Sequence, residues 1–365
     1  MPHRQPIPQV TLDATPLLGQ RTGIGTFVQH LVAGLAGRTD VHTSATAFTL
    51  RGHRDLPGAL PAGVAHRGWP VPARALRMAW RRLPFPWLEL IAGQTDVFHA
   101  TNYVLPPLRH ARGVLSVHDL SYLHLPHTVH VASMAYQKLV PAGLRRAAVA
   151  CALTAWTADE IADTYAFPRD RIVVTPLGVD DRWFDPAAID PALRAALALP
   201  LEYLVFVGTR EPRKGLPTLI RAHAALGDDA PPLVLVGASG WGDQATLGTG
   251  VITLPYLDAA HLPSVVAGAS ALVMPSLYEG FGIPVLEGMA AGIPVVISDT
   301  PAMLEVAGGH ASAFAVGDAE ALADVLSRVL AGEHPDLVAG TAHARRWTWD
   351  RCVEACVSAY RAALA

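Results

Sequence analysis

Two glutamates stand eight positions apart in the segment SLYEGFGIPVLE, which follows an apolar run typical of a strand and opens a run with helical spacing. Glu279 falls in the turn, whereas Glu287 falls among apolar helix residues, where an unpaired carboxylate is costly to bury. Between them, Gly280 and Gly282 flank Phe281 and allow a ligand to approach the backbone closely. We predict two carboxylates that accept hydrogen bonds from polyol hydroxyls, beside helix-start amides that face an anion. The alternative is one helix-capping glutamate and one exposed glutamate.

A basic turn, VGTREPRKG, also lies between a strand and a helix, and it concentrates the cations Arg210, Arg213 and Lys214. Only two of the 28 basic residues of the chain are lysines, Lys138 and Lys214. Planar guanidinium groups and a compact ammonium at the carboxyl end of a strand suit a diphosphate. The alternative is a solvated basic turn without a ligand.

Polar residues also follow predicted strand ends in the first half of the chain. His118 and Asp119 come directly after the apolar run of SVHDL, and Asn102 follows another apolar run in FHATNYVLP. A single histidine is more often structural, but the carboxyl end of a parallel strand is where α/β sheets bind ligands. The loop RTGIGTF, with Gly23 and Gly25, opens a helical pattern and is by itself a weak indication of a phosphate site.

Composition and missing motifs narrow the class of protein. The chain has 365 residues, a formal net charge of −3 and three cysteines, which excludes a disulfide scaffold and disfavours a nucleic-acid binder. It contains no Asp-x-Asp tract, Walker A motif, Gly-x-Ser-x-Gly motif or cysteine and histidine spacing for a metal. We therefore predict neither a metal nor a resident cofactor. In their place, we expect fixed cations of the protein to neutralise a diphosphate. With no secretory signal and no apolar run of about 18 residues, a cytoplasmic protein is expected.

Alternating strands and helices must position these residues. In the second half, apolar runs predict strands at 203–207, 233–236, 251–254, 271–275, 294–297 and 312–316, with helical patterns at 216–226, 259–267, 283–291 and 319–330. In the first half, looser signals predict strands at 9–13, 42–49, 96–99, 113–117, 152–155 and 172–175, with a helix at 25–35. Strands that are apolar throughout indicate parallel sheets covered by helices on both faces.

Length and alternation together predict two doubly wound α/β domains of similar size. Aspartate and proline cluster in DDRWFDPAAIDPALR, and we place the domain boundary at the start of this segment. The prediction assigns an N-terminal domain to residues 1–178, a C-terminal domain to residues 179–345 and a final helix to residues 346–365. Ligands of such sheets bind outside the carboxyl ends of the strands, where the polar residues above are found.

One further segment, residues 71–91, is basic and rich in aromatic residues: VPARALRMAWRRLPFPWLELI. An amphipathic segment of this kind can lie on an anionic membrane, which predicts peripheral contact with the inner face of the membrane. The alternative is a basic surface helix that packs its apolar side inward.

In combination, these motifs resemble those of the retaining glycosyltransferases of family 4, over nearly the whole chain. The most specific elements are the pair Glu279 and Glu287 and the turn VGTREPRKG, which is similar to the EPRKN form of the diphosphate turn in mannosyltransferase-like members. FHATNYVLP and VHDLSYLHLP resemble segments of the same subgroup. The resemblance implies the GT-B fold, in which two Rossmann-like domains face a cleft and a C-terminal helix crosses back to the first domain.

The resemblance also implies roles for individual residues. Glu279 would contact and position the donor sugar, and Glu287 would bind the ribose hydroxyls. Arg213 and Lys214 would hold the diphosphate and neutralise the leaving group. His118 would contact the donor sugar near the reacting carbon.

In the same family, Gly23 and Gly25 would form a loop close to the phosphates and the acceptor. This sequence departs from the family pattern at Thr209, where many members have an arginine directly after the glycine of the turn. Either Arg210 or Arg213 must then take the place of that arginine, and the sequence leaves both open.

The implied activity is retaining transfer of a hexose from a nucleotide diphosphate sugar to a hydroxyl of a glycan or lipid-linked acceptor, as in polysaccharide biosynthesis. Mannose is the favoured sugar and GDP-mannose the favoured donor, whereas no nucleic acid is expected as a partner. Two alternatives stay open. One is another GT-B enzyme that hydrolyses or epimerises a nucleotide sugar, and the other is a non-catalytic protein that keeps the fold.

Overall fold

The computed structural model of the protein describes residues 7–19, 23–241 and 247–365. These residues divide into two compact units. The first unit comprises the described residues within 1–120, 132–177 and 349–365, and the second comprises those within 121–131 and 178–348. Each unit is built around one parallel β-sheet.

The sheet of the first unit has seven strands within the described residues, in the order β3-β2-β1-β4-β5-β6-β7, and neighbouring strands are parallel. The strands are β1 Gln9–Asp13, β2 His42–Thr46, β3 Ala65–His66, β4 Val97–Ala100, β5 Arg112–Ser116, β6 Ala147–Ala152 and β7 Ile172–Val174. The winding reverses between β1 and β4, which pair at Val10 with Val97 and at Leu12 with His99. Doubly wound sheets bind their ligands at such a reversal.

The sheet of the second unit has six parallel strands in the described residues, in the order β10-β9-β8-β11-β12-β13. The strands are β8 Leu204–Val207, β9 Leu233–Val236, β10 Val251–Leu254, β11 Ala271–Met274, β12 Val295–Ser298 and β13 Ser312–Phe314. Its winding reverses between β8 and β11, which pair at Leu204 with Ala271. The basic turn follows β8 and the glutamate turn follows β11, so both lie at the reversal.

The α-helices of the described residues lie between these strands, apart from the last three, which follow β13. They are α1 Gly23–Ala36, α2 Leu56–Ala59, α3 Ala73–Trp80, α4 Leu88–Ala92, α5 Ser121–His124, α6 Tyr136–Leu144, α7 Ala155–Tyr165, α8 Pro191–Ala196, α9 Leu216–Ala225, α10 Leu262–Ala267, α11 Ile283–Ala290, α12 Pro301–Ala307, α13 Ala319–Leu330, α14 Leu337–Ala344 and α15 Trp349–Leu364. None of these described helices combines the length and the apolarity that a membrane-spanning helix needs.

Residue periodicity explains where the two cores lie. Every residue of β4, β9 and β11 is buried, as expected for strands covered on both faces. On α1, Phe27, Val28 and Leu31 are buried on the face that the sequence pattern predicts. Helix α13 begins after Asp318, whose carboxylate accepts hydrogen bonds from two of the first amides of the helix.

The prediction of two doubly wound parallel-sheet domains is confirmed, and most predicted strands lie within a few residues of their observed positions. The strand predicted at 152–155 is wrong. Strand β6 ends at Ala152, and Thr154 instead caps α7 by accepting a hydrogen bond from the amide of Thr157. The sequence does not predict β3, because two residues are too few to show a period.

Two segments belong to a different unit from the residues next to them in the chain. Residues 121–131, which contain α5, belong to the second unit, although the chain on both sides of them belongs to the first. Helix α15, the predicted final helix, groups with the first unit, where it packs against α1 and β6. Cys352 and Cys356 lie four positions apart on α15 and are both buried, so they contribute to the core of that unit.

Candidate active site

Two turns meet at the carboxyl ends of β8 and β11. The amide of Leu277 donates to the carbonyl of Arg213 at 2.8 Å, which ties the turn after β11 to the turn after β8. Gly215 has a φ of +67°, and a Cβ at this position would lie 2.0 Å from the carbonyl oxygen of Pro275. Only glycine fits this crossing, which brings the basic turn against the glutamate turn.

Four charged side chains form one ionic cluster at this crossing, which we call the buried cluster: Glu211, Arg213, Lys214 and Glu279. Lys214 Nζ lies 2.5 Å from Glu279 Oε1, and Arg213 Nη1 lies 2.9 Å from Glu279 Oε2. Arg213 Nη2 lies 2.8 Å from Glu211 Oε1. The structure thus brings together three residues that the sequence singles out. It adds Glu211, which is not among the residues predicted from the sequence, although an acid between two arginines is a visible signal.

The buried cluster sets the charge state of Glu279. Burial by itself would raise the pKa of this carboxyl group. The charges of Lys214 and Arg213 and a hydrogen bond of 2.8 Å from Ser276 Oγ outweigh burial and lower the pKa to about 2. With two carboxylates and two cations, the cluster is neutral as a whole. A diphosphate that binds here must therefore exchange contacts with the glutamates instead of meeting free positive charge.

Arg210 differs from Arg213, although both belong to the same motif. Its Nε is buried and has no hydrogen-bond partner among the described residues. Its backbone is enclosed, because a Cβ on Gly240 would lie 2.3 Å from the Arg210 carbonyl oxygen. A buried guanidinium nitrogen without a partner is a donor that an anion can use. The geometry therefore separates the two arginines that the sequence leaves open, because Arg213 is bound by glutamates.

Glu287 lies on α11 and differs from Glu279 in its surroundings. Its side chain is half-buried. Burial, helped by the negative charge of Asp180 and opposed by the positive charge of Arg182, raises the pKa of Glu287 to about 8. The sequence predicts two similar carboxylates that both accept hydrogen bonds, but in the structure their protonation states differ near neutral pH. Glu279 is ionised, whereas Glu287 mostly keeps its proton and can also donate.

The residues between the two glutamates turn the chain into α11. Gly282 precedes this helix with a φ of +85°, a conformation that L side chains rarely adopt. Phe281 is buried, and the edge of its ring packs against Trp347 at a centroid distance of 5.5 Å. Gly280 is buried beside it. Phe281 therefore belongs to the packed interior of the second unit, where it supports the turn.

In the first unit, His118 lies two residues beyond β5 and is buried. Its Nε2 donates to the carbonyl of Thr101 at 2.7 Å, and the rings of Phe27 and Tyr103 pack edge-on against it. Burial lowers the pKa of His118, and the bond to Thr101 and the charge of Asp119 only partly oppose this shift. The ring is therefore neutral, and its Nδ1 is the nitrogen that can accept a hydrogen bond.

The other predicted residues of the first unit lie in different settings. Asn102 has a buried Oδ1 without a hydrogen-bond partner among the described residues, and Asp119 is half-buried. Gly23 and Gly25 form the first turn of α1 and not a loop before it. Arg21 and Thr22 of the motif RTGIGTF lie outside the described residues. Within the described ranges, no group of three or more histidine, cysteine or acidic side chains is placed to hold a metal ion.

Comparisons with known proteins identify the family of the chain. Residues 21–183 match Glycosyltransferase Family 4, and residues 193–346 match Glycosyl transferases group 1. The O-antigen chain mannosyltransferase B of Escherichia coli is 29% identical over 282 residues, which cover 73% of this chain and 74% of that protein. The D-inositol 3-phosphate glycosyltransferase of Actinosynnema mirum is 34% identical over 235 residues, which cover 56% of this chain and about half, 54%, of that enzyme.

A solved structure supports the same fold. Sucrose-phosphate synthase from Thermosynechococcus elongatus superposes with a TM-score of 0.72 over 97% of this chain and 98% of that chain, at 19% sequence identity. Together, the two family matches cover most of the sequence, and each lies mainly in one unit. The chain belongs to the family 4 and group 1 glycosyltransferases of the GT-B fold, which transfer a sugar from a nucleotide-sugar donor.

Proposed function

We propose that the protein transfers mannose, with retention of configuration, from GDP-mannose to a hydroxyl of a glycan or lipid-linked acceptor. The observation that carries this proposal is the buried cluster, which holds two cations beside a glutamate at the reversal of the second sheet. The similarity to an O-antigen chain mannosyltransferase, over about three quarters of each chain, supports mannose. The similarity to an inositol-phosphate glycosyltransferase covers only about half of that chain, so it supports glycosyl transfer in general and not a particular sugar or acceptor.

The buried cluster suits the stabilisation of a leaving diphosphate. As the bond between the anomeric carbon and the phosphate oxygen breaks, negative charge develops on the phosphate. Lys214 neutralises this charge, and Arg210 supplies a donor that has no described partner. Glu211 keeps Arg213 in place, and Glu279 positions the donor sugar. Because these cations are fixed by the fold, the proposed step proceeds without a metal ion.

Retention follows if the acceptor attacks on the face that the phosphate leaves. The acceptor oxygen bonds to the anomeric carbon while the leaving phosphate oxygen takes the proton of the acceptor hydroxyl, so no protein nucleophile is needed. His118, as a neutral ring, accepts a hydrogen bond from a hydroxyl of the donor sugar at Nδ1. Glu287, whose pKa is about 8, both donates to and accepts from the ribose hydroxyls.

We also propose that residues 71–91 bring the enzyme to an anionic membrane surface. The segment is two short helices, α3 and α4, on either side of a proline-containing stretch, with Trp80 and Leu88 buried. Its exposed residues combine arginines with large apolar side chains: Arg74, Met78, Arg81, Arg82, Leu83, Phe85 and Leu90. Co-sedimentation with phosphatidylglycerol vesicles, but not with phosphatidylcholine vesicles, is expected. Equal recovery in the absence of vesicles and with phosphatidylglycerol would remove the proposal.

A donor screen tests the proposed reaction. The wild-type protein is incubated with GDP-mannose, GDP-fucose, UDP-glucose, UDP-galactose or ADP-glucose and with octyl α-D-mannopyranoside as the acceptor, with and without EDTA. Released nucleoside diphosphate and glycosylated product are both measured, and NMR gives the anomeric configuration. We expect the fastest transfer from GDP-mannose, an α-linked product and no loss of rate in EDTA.

Two lysine variants provide a matched control for the screen. Lys214→Ala removes the cation at the diphosphate and is expected to lower turnover by about 100-fold or more. Lys138→Ala makes the same change on the exposed face of α6 and is expected to leave turnover unchanged. A product that is an isomerised or hydrolysed donor sugar, without transfer, would favour the epimerase-like alternative. Failure to bind any nucleoside diphosphate would favour a non-catalytic protein.

A further inference from the structure

Asp13, the last residue of β1, is a buried acid that the proposed reaction does not use. Its Oδ1 accepts hydrogen bonds from the amide of Thr15 at 2.9 Å and from the Thr15 hydroxyl at 2.5 Å. Its Oδ2 has no hydrogen-bond partner in the part of the chain that the structure describes. One oxygen therefore holds the carboxyl group in a fixed orientation, and the other is open to a donor from a ligand.

Asp13 lies among polar groups at the ends of the neighbouring strands. Thr101 lies directly after β4, and its hydroxyl donates to the Asp13 carbonyl at 2.5 Å. The backbone carbonyl of Thr101 accepts a hydrogen bond from His118 Nε2 at 2.7 Å. Thr101 thus links the carboxyl ends of β1, β4 and β5. The next residue, Asn102, has the buried Oδ1 that lacks a described partner. Two acceptor groups therefore lie at the reversal of the first sheet without matching donors.

A cation and a tyrosine complete the surroundings of Asp13. The charge of Arg77, which is half-buried on α3, acts on the Asp13 carboxyl but forms no ion pair with it, and burial outweighs this charge and raises the pKa of Asp13. Tyr136 stacks on Tyr103 with the ring centroids 4.6 Å apart, and the charges of Arg77 and Asp13 both act on its hydroxyl. Arg77 therefore contributes positive charge near Asp13 without forming an ion pair with it.

We propose that Asp13 binds a hydroxyl of the acceptor and that the acceptor sugar bound here is an uncharged pyranose. This inference rests on the proposed glycosyl transfer and adds the class of acceptor and a residue that selects it. Asp13 and Asp119 both place negative charge near Tyr136, and Arg77 opposes it. A phosphate would meet the open carboxylate oxygen of Asp13, whereas sugar hydroxyls can donate to Asp13 and Asn102 and accept from Arg77.

Direct binding of sugars to three forms of the full-length protein tests the proposal. Asp13→Asn keeps the size of the side chain and an oxygen for Thr15 but removes the carboxylate. Asp96→Asn makes the same change at an exposed position before β4, at the opposite edge of the same sheet. Each form is titrated with methyl α-D-mannopyranoside, methyl α-D-glucopyranoside, methyl α-D-galactopyranoside and mannose 6-phosphate in the presence of GDP, by saturation-transfer NMR. Thermal unfolding checks that each variant is folded.

We expect at least one of the methyl pyranosides to bind the wild-type protein. Asp13→Asn should weaken that binding by about 10- to 100-fold, because a hydrogen bond to a charged group is lost. Asp96→Asn should bind like the wild type. Equal affinity of the wild type and Asp13→Asn, no binding of any methyl pyranoside, or tighter binding of mannose 6-phosphate would each overturn the proposal. The proposed transfer fails by a different result, namely no nucleoside diphosphate released from any nucleotide sugar.

Discussion

Two ionic clusters of the same composition, each with two carboxylates and two cations, lie in the two units of this protein. In the first unit, the exposed cluster joins Arg38, Asp40, Glu354 and Arg361 at distances from 2.7 to 3.5 Å. Its side chains are between 24% and 58% exposed. Those of the buried cluster are between 7% and 17% exposed. The clusters thus differ in their contact with solvent and hardly in charge or geometry.

This difference teaches what each cluster can do. Water screens exposed pairs, so each adds at most about 1 kcal/mol to stability, and here they fasten α15 to the turn between α1 and β2. The attraction within a buried pair must offset the loss of hydration of both charges. Apolar residues of similar size in the same place often stabilise the folded protein equally well. A stability role therefore does not account for the buried cluster, whereas fixed cations at the carboxyl ends of strands suit a diphosphate.

The largest expected effect comes from removing one carboxylate from each cluster. Glu279→Gln leaves Lys214 without a partner in a buried place and should lower the free energy of unfolding by about 3–5 kcal/mol. Glu354→Gln in the exposed cluster should lower it by no more than about 1 kcal/mol. Urea denaturation of the two variants beside the wild type measures both values. If both variants lost a similar amount of unfolding free energy, burial would not explain a difference between the two clusters.

The pH dependence of stability should separate the two glutamates of the site. Glu287 has a pKa of about 8 in the folded protein, against 4.5 for an ordinary glutamate. Between these values only the unfolded chain has lost the proton, so the contribution of Glu287 to stability falls as pH rises, by at most about 1.4 kcal/mol per pH unit. Glu279, with a folded pKa of about 2, behaves oppositely, because its contribution is lost as pH falls below 4.5.

Glu287→Gln removes that titration and is the measurement that checks it. Melting temperatures of the wild type and the variant, taken from pH 5 to pH 8, should diverge, with the variant gaining relative stability as pH rises. Asp324→Asn, on the exposed face of α13, serves as a charge-matched control and should run parallel to the wild type. A constant difference between the wild type and Glu287→Gln over this range would contradict the raised pKa.

A smaller effect should distinguish the two arginines of the basic turn. Arg210→Ala is expected to raise the dissociation constant for GDP by about tenfold, because it removes a charge-assisted donor, with little change in melting temperature. Arg213→Ala should lower the melting temperature as well, because Glu211 and Glu279 each lose one ion pair. Calorimetric titration with GDP and thermal unfolding measure the two properties. An unchanged affinity in Arg210→Ala would assign the phosphate contact to Arg213.

The smallest expected effect concerns salt. Raising the NaCl concentration from about 50 mM to about 500 mM shortens the screening length to a few ångströms and should abolish the stability difference between Glu354→Gln and the wild type. The difference between Glu279→Gln and the wild type should persist, because water and ions do not reach that pair freely. Unfolding curves of the two variants and the wild type at both salt concentrations measure these differences. If salt reduced both differences equally, burial would not distinguish the two clusters.

The second unit was more predictable from sequence than the first, and particular elements show why. Strands β9 and β10 lie where the sequence predicts them, because Leu233–Val236 and Val251–Leu254 are apolar runs bounded by turn residues. Strand β6, Ala147–Ala152, consists of small residues that continue without a break toward α7. Small residues suit strands and helices alike, so only pairing with β5 and β7 decides where that strand ends.

The candidate site was predictable in its residue types but not in its pairing. Lys214 and Glu279 were each evident, as a retained lysine in a basic turn and as a glutamate in a glycine-rich turn. Their contact was not, because they lie 65 positions apart and meet only through the order of β8 and β11 in the sheet. Asp13 shows the same limit, since an acid that ends an apolar strand is visible but its burial is not.

The sequence by itself determined the alternation of strands and helices, the glycosyltransferase motifs and the identity of the charged residues at the strand ends. These features depend on neighbours within a few positions along the chain. The tertiary structure alone decided that Arg213 and Lys214 are neutralised by glutamates. It also decided that Glu279 is ionised while Glu287 mostly keeps its proton, and that Asp13 is buried with one oxygen open. Charge states depend on burial and on distances between residues far apart in sequence, and strand order sets both. The two lysines illustrate this division, because composition made both uncommon and only the fold placed Lys214 against a carboxylate.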